Sequence, residues 1–154
     1  MKESKPVLTP LPTKLPAITA SSELFDKPEV YRQLVGSLQY LTITRPDLSF
    51  AVNLLCQQMH LPYLVHYQLL KRVPRYLAST IHLGLPIIRS SFDLHTYSDY
   101  DWAADLTNRR SITCYCAFLG HNLVSWCVKK QTTVARSSTE AEYRALSTAA
   151  SDIV

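Results

Sequence analysis

The sequence predicts an α+β chain in two parts: a helical module over residues 26–91, then a strand-rich segment closed by one helix over residues 92–154. Three observations carry this. Up to about residue 80, apolar residues recur at three- and four-residue steps, the period of helices buried on one side. From Leu83 the pattern shortens to β-rich runs bounded by Pro, Ser and Asp, the signature of strands. The last stretch, RSSTEAEYRALSTAASDIV, returns to a helix-forming composition. At 47% hydrophobic and 18% charged residues, the chain is globular rather than disordered.

Five of the nine prolines lie in the first 28 residues, so residues 1–25 read as an extended Pro-rich leader with no core of its own. No apolar run suits a signal peptide and no stretch of about 20 apolar residues suits a membrane span, which points to an intracellular protein. The first helix follows Asp26, a candidate N-cap with Glu29 at capping-box spacing, and its stripe is Val30, Leu34, Leu38 and Leu41. Pro46 forbids that helix from continuing and starts a second one, capped by Thr44, with Phe50, Val52, Leu54, Leu55 and Met59 inside. A third helix covers 63–79 and buries Leu69, Leu70, Val73 and Leu77. Pro74 sits within it, so the helix is expected to kink there or end early. His60, His66 and His82 show no metal-ligand spacing and read as surface or interface residues.

In the second part, LGLPIIR and FDLHTYS read as short strands, and SITCYCAFLG and HNLVSWCVKK flank a turn at 120–122 as a hairpin. The four cysteines contain no C-x-x-C pair, and reduced, half-buried thiols are expected. Basic residues gather at Lys71, Arg72 and Arg75, and around an acidic stretch at Arg109, Arg110, Lys129, Lys130 and Arg136. Such clusters are either solvated surface or phosphate contacts.

The acidic stretch is YSDYDWAAD, with Asp99, Asp101 and Asp105. A calcium loop starting at Asp99 would need Gly sixth and an acid twelfth, where Ala104 and Arg110 stand, so that chemistry is excluded. The closing helix separates two glutamates. Glu140 stands at capping-box spacing from Ser137 and can pair with Arg144, so capping and solvent explain it. Glu142 lines up with Leu146, Ala149 and Ile153 on the apolar side. A carboxylate heading a buried stripe is costly unless it is hydrogen-bonded or holds a cation, so a metal ligand and a satisfied structural acid are the open readings. A strand ending near Asp99 and a helix returning Glu142 beside it would suit a hard divalent cation in phosphate chemistry.

The motifs YRQLVGSLQYLTITRPDLSFAVN, YSDYDWAAD, NRRS and VSWCVKKQTTVARSSTEAEYRAL, in that order, resemble the Pol polyprotein of copia-type long-terminal-repeat retrotransposons over almost the whole chain. The resemblance implies that residues 1 to about 90 are a reverse-transcriptase tail, thumb and connection, and that residues from about 92 begin an incomplete ribonuclease H domain. It implies a sheet whose first strand carries catalytic Asp99 and a first helix carrying catalytic Glu142. Both would be ligands of Mg2+ ions that cut the RNA strand of an RNA–DNA hybrid. Asp101 would be a helper and Asp105 a turn residue, while Arg109, Arg110, Lys129, Lys130 and Arg136 would hold the hybrid backbone. On the same resemblance the polymerase's Y-x-D-D aspartates belong upstream of Met1 and a third ribonuclease H carboxylate downstream of Val154. The expected partners are nucleic acid and the remainder of Pol, and the fragment is expected to be inactive.

The chain departs from the family pattern at Pro74, at AST over 78–80 and at Tyr100, departures that read as drift. Two alternatives stand beside the inactive fragment. One is a co-opted nucleic-acid-binding or protein-interaction module, and the other is a piece of a longer enzyme.

Overall fold

The computed structural model describes residues 5–16, 19, 21–105 and 107–153. They form four α-helices and one three-stranded antiparallel sheet, the expected α+β class. The chain divides into two compact units, Met1–Gly84 and Leu85–Val154. Among the described residues no helix is long and apolar enough to cross a membrane.

The first unit contains α1 (Pro28–Leu41), a 3₁₀ turn at Pro46–Leu48, α2 (Ser49–Cys56) and α3 (Leu64–Ser79). The Asp26–Glu29 capping box does not form. Lys27 is the N-cap and makes no side-chain cap bond, while Pro28 starts the helix with its preset φ and no orphan N–H. The buried stripe of α1 is Tyr31, Val35 and Leu38, with Leu34 and Leu41 exposed, a rotation from the expected face. Tyr31 is the reason. Its ring is fully buried and its hydroxyl donates to the Leu55 carbonyl at 2.9 Å, so a large aromatic enters the core with its polar end satisfied. On α2, Ala51, Val52 and Leu55 join Leu48 of the preceding turn inside, and Phe50 is left exposed. Leu69, Leu70, Val73 and Tyr76 complete the core from α3.

The α3 helix runs through Pro74 without ending. Pro74 has no N–H, so the Leu70 carbonyl loses its i+4 donor, and burial of Val73 and Tyr76 on either side offsets that loss. His66, expected as a surface or interface residue, is buried. Its Nδ1 accepts the Tyr63 N–H at 3.0 Å, which ties down the start of α3. Thr44 does not cap the second helix: Leu48 stands at the N-cap of α2 and Arg45 at that of the 3₁₀ turn before it, and the Arg45 side chain is buried and makes a two-pronged bond to Asp47, at 2.9 and 2.8 Å. Arg45 also donates to the carbonyl and hydroxyl of Thr80, and Tyr76 donates to Asp47 at 2.8 Å. The R-P-D sequence is thus a polar clamp from the turn before α2 to the end of α3.

The leader borrows the helical core. Val7 and Leu11 pack against it, Arg72 donates to the Thr9 carbonyl and hydroxyl, Arg75 to the Lys5 carbonyl, and Ser79 to the Val7 carbonyl. Arg72 and Arg75, read from sequence as candidate phosphate contacts, are occupied by main-chain carbonyls.

The second unit is a meander, β1 (Leu94–Asp101), β2 (Ile112–Leu119) and β3 (Asn122–Lys130), followed by α4 (Ser138–Ile153). LGLPIIR forms no strand. Pro86 removes a donor from it, and the Asn122 side chain takes both the N–H and the carbonyl of Ile88. The β2–β3 hairpin turns at Gly120–His121. Gly120 has φ +58, and a Cβ there would lie 2.2 Å from Ser90 Oγ, so both conformation and space require glycine. All four cysteines are free and half-buried, as expected.

The α4 helix covers one sheet face, that of Thr113, Tyr115 and Ala117 on β2. Tyr115 donates to Asp152 on α4 at 3.0 Å, and Gln131 bridges Thr113 to the Ala141 carbonyl. Ala141, Ala145 and Ala149 form the buried stripe of α4, small enough to bring the helix close to the sheet.

Candidate functional site

The acids of the second unit sort by what they bond. Glu140 Oε2 accepts the Arg136 N–H at 2.7 Å, Glu140 Oε1 pairs with Arg144 at 2.5 Å, and the Glu140 N–H donates to Ser137 Oγ at 3.1 Å. It caps α4, as its spacing predicts. Asp105 shapes the turn after β1: its Oδ1 accepts the N–H groups of Thr107 and Asn108 and the Thr107 hydroxyl. Its other oxygen is ion-paired with Lys130. Burial opposes the charge of Asp105, but Lys130 and the Thr107 and Asn108 donors hold its carboxyl well below the usual range. Asp152 is taken by Tyr115.

Asp93, Asp99, Asp101 and Glu142 remain. None of the four carboxylates accepts a hydrogen bond or forms an ion pair among the described residues, and all four residues are exposed. Asp99 pairs in register with Cys114, and Tyr100 with Thr113. Side chains alternate along a strand, so Tyr100 shares the face under α4 while Asp99 and Asp101 project from the other. Burial, and the charges of Asp99 and Asp101 beside it, push the Cys114 thiol up.

Glu142 is exposed beside the alanine stripe, and Leu146 is 48% exposed. The expected buried row of Glu142, Leu146, Ala149 and Ile153 therefore does not exist. The geometry removes the burial argument for Glu142 and leaves it a carboxylate without a structural task.

Carboxylate oxygens are the donors a hard cation prefers. Yet Asp99 lies on the sheet face that α4 does not cover, and among the described residues no three of His, Cys, Asp or Glu gather where they could hold a metal. The donor type fits Mg2+, but the arrangement within this chain does not close a site.

The basic residues divide as well. Arg109 and Arg110 lie exposed in the turn held by Asp105, whose carbonyl accepts the Arg109 N–H at 2.7 Å. Arg109 adopts φ 57, and its guanidinium stands 6.0 Å from the centre of the Trp102 ring. Trp102, a residue to which sequence reading gave no role, also donates to the Ala135 carbonyl at 3.4 Å, linking the Arg109–Arg110 turn to the segment before α4. Lys129 and Arg136 are exposed, while Lys130 is committed to Asp105. Strand alternation gives the reason, because two adjacent lysines on β3 point to opposite faces.

Similar proteins frame this arrangement. An uncharacterized mitochondrial protein of Arabidopsis thaliana is 49% identical over 99% of this chain and 64% of its own length. The retrovirus-related Pol polyprotein from transposon RE2 of the same plant is 47% identical over 99% of this chain, which spans 11% of that polyprotein. The chain belongs to the copia-type retrotransposon Pol family. The chain is also similar to a secreted RxLR effector protein of Plasmopara viticola, 49% identical over 80% of this chain and 89% of the relative. No family model matches the chain, and no solved structure matches it. In this copia-type Pol segment, T-R-P-D-L is a structural clamp, and YSDYDWAAD combines one exposed face of β1 with an ion-paired turn.

Proposed function

We propose that this Pol segment joins the tail of a reverse transcriptase to the start of a ribonuclease H domain and binds an RNA–DNA hybrid. In this reading Arg109, Arg110, Lys129 and Arg136 contact the hybrid backbone, and Lys130 holds the turn that presents Arg109 and Arg110. Asp99 and Glu142 are the carboxylates the segment contributes to a Mg2+ site completed by other parts of Pol. Mg2+, when held there, supplies activation of a water for phosphodiester cleavage. The observation that carries the reading is the sorting of acids: Asp105, Glu140 and Asp152 are spent on structure, while Asp99 and Glu142, like Asp93 and Asp101, are exposed and unengaged, and the motif positions of Asp99 and Glu142 single them out among these four.

The 154-residue chain by itself is expected to bind a labelled RNA–DNA hybrid without cutting it in Mg2+. Cleavage that is abolished by Asp99→Asn would refute the incomplete site and show that the chain closes it alone. Failure to bind hybrid at low salt would remove the reading altogether.

A second reading is a free-standing nucleic-acid or protein-interaction module. It is favoured by the relative of which this segment makes up 89%. A preference for single- or double-stranded nucleic acid over hybrid would favour it.

A further inference from the structure

We infer that the second unit carries a phosphate-binding cavity, separate from Asp99 and Glu142, between the end of β3, the segment that follows it and the middle of α4. The cavity has a volume of about 380 Å3. Its walls contain three cationic side chains, a run of hydroxyls and one amide, with no acid among them. The Gln131 amide is no donor to a ligand, because its N–H groups bond Thr113 and the Ala141 carbonyl, but the cations and hydroxyls fit an anion with several oxygens.

The availability of those donors decides the matter. Lys129 is exposed and has no ion pair among the described residues, whereas Lys130 is neutralised by Asp105. The Lys129 ammonium is therefore the free charge of the cavity. Arg144 lines it too, held between Glu140 and Thr133. Because the Thr133 hydroxyl accepts from Arg144, its own proton is left to donate to a ligand. The hydroxyls of Thr132 and Ser147 have no hydrogen-bond partner among the described residues. Gln131 fixes the floor through its bonds to Thr113 and the Ala141 carbonyl, 3.0 and 3.1 Å long.

A compact point charge with three rotatable donors, beside hydroxyls on two facing segments, matches a phosphoryl group. The cavity is larger than phosphate alone, which leaves room for the organic part of a phosphate monoester. The inference does not rest on the hybrid reading, since a free monoester serves as ligand.

The test is titration of the 15N-labelled full chain with inorganic phosphate and then a nucleoside 5′-monophosphate, with chloride adjusted to constant ionic strength. Saturating shifts are expected at the amides of Gln131, Thr132, Thr133, Ser147 and Thr148. Lys129→Gln should weaken the affinity about tenfold and Ser147→Ala several-fold, while Arg89→Gln, outside the cavity, leaves it unchanged. All three substituted side chains are solvent-exposed, so the variants should fold, and their spectra check this. A tighter fit for the nucleotide assigns the whole cavity to a monoester, and equal affinities assign it to the phosphate ion; either result supports the site. Shifts that do not saturate, or that chloride reproduces, or affinity untouched by Lys129→Gln, would overturn it.

Discussion

Two side chains of the first unit show how much rests on single polar atoms. His66 is buried and gives Nδ1 to the Tyr63 N–H, so burial pushes its pKa down and the folded protein holds it neutral. The unfolded chain then binds a proton more readily, and folding stability is lost as pH falls through the ordinary histidine range toward the lower folded value. The melting temperature of the first unit should therefore fall between about pH 7 and pH 5. His66→Asn keeps an acceptor without titrating and should flatten that slope; equal slopes would rule out His66 as the cause. Asp47 faces the opposite demand. Arg45 beside it, with Tyr76, holds its carboxyl below the usual range against the cost of burial. Asp47→Ala strands a buried guanidinium and a tyrosine hydroxyl, and should cost about 2 kcal/mol, discounted because Asp47 is partly exposed. Urea denaturation measures it. Neither role was visible in the sequence, where His66 resembled any surface histidine and Arg45–Asp47 any loop pair, because each depends on a partner brought in by packing.

At the scale of elements, packing overrides local preference. The sequence pattern located all four helices, yet it misplaced the buried face of α1 by favouring aliphatics over a tyrosine whose hydroxyl finds the Leu55 carbonyl. It placed Glu140 at the cap of α4 correctly, because a capping box is a local signal needing only three residues. It also assigned Glu142 to a buried row, because composition cannot distinguish Leu146 outside from Ala145 inside when the helix packs closely on a sheet. Pro74 in α3 gives the sharpest element-scale expectation. The helix is continuous there, so Pro74→Ala restores the bond to the Leu70 carbonyl without a change of path. That variant should be more stable by about 1–3 kcal/mol. A fall in melting temperature would mean that the helix is built around its proline. The leader offers a companion measurement. Arg75→Ala removes its clip to the Lys5 carbonyl, and amide exchange should quicken at the leader while the α2 core stays protected.

For the whole molecule, the fold class and the order of elements were legible because hydrophobic period changes abruptly near Leu83, and that change coincides with the division after Gly84. The candidate site was legible only in part. Asp99 and Glu142 enter the proposed site from motif order alone, and which cations remain free depended on the Asp105–Lys130 pair across 25 residues. That pair now makes the salt dependence of nucleic-acid binding a quantitative test. A net charge of +4 is modest, so affinity must come from a local cluster rather than from the whole surface. Arg109, Arg110, Lys129 and Arg136 are the exposed cations of the proposed interface, and if each displaces one counterion, log affinity should fall with log salt at a slope of about −3 to −4. Replacing Arg110 with Gln should reduce the slope by about 1 and weaken binding to every sequence alike. Replacing Lys130 should act differently. Its ammonium neutralises Asp105 inside the fold, so Lys130→Gln should lower thermal stability and loosen the turn that carries Arg109, changing affinity through that turn. A slope reduced as much by Lys130→Gln as by Arg110→Gln, in a variant of unaltered stability, would show that Lys130 faces the phosphates itself.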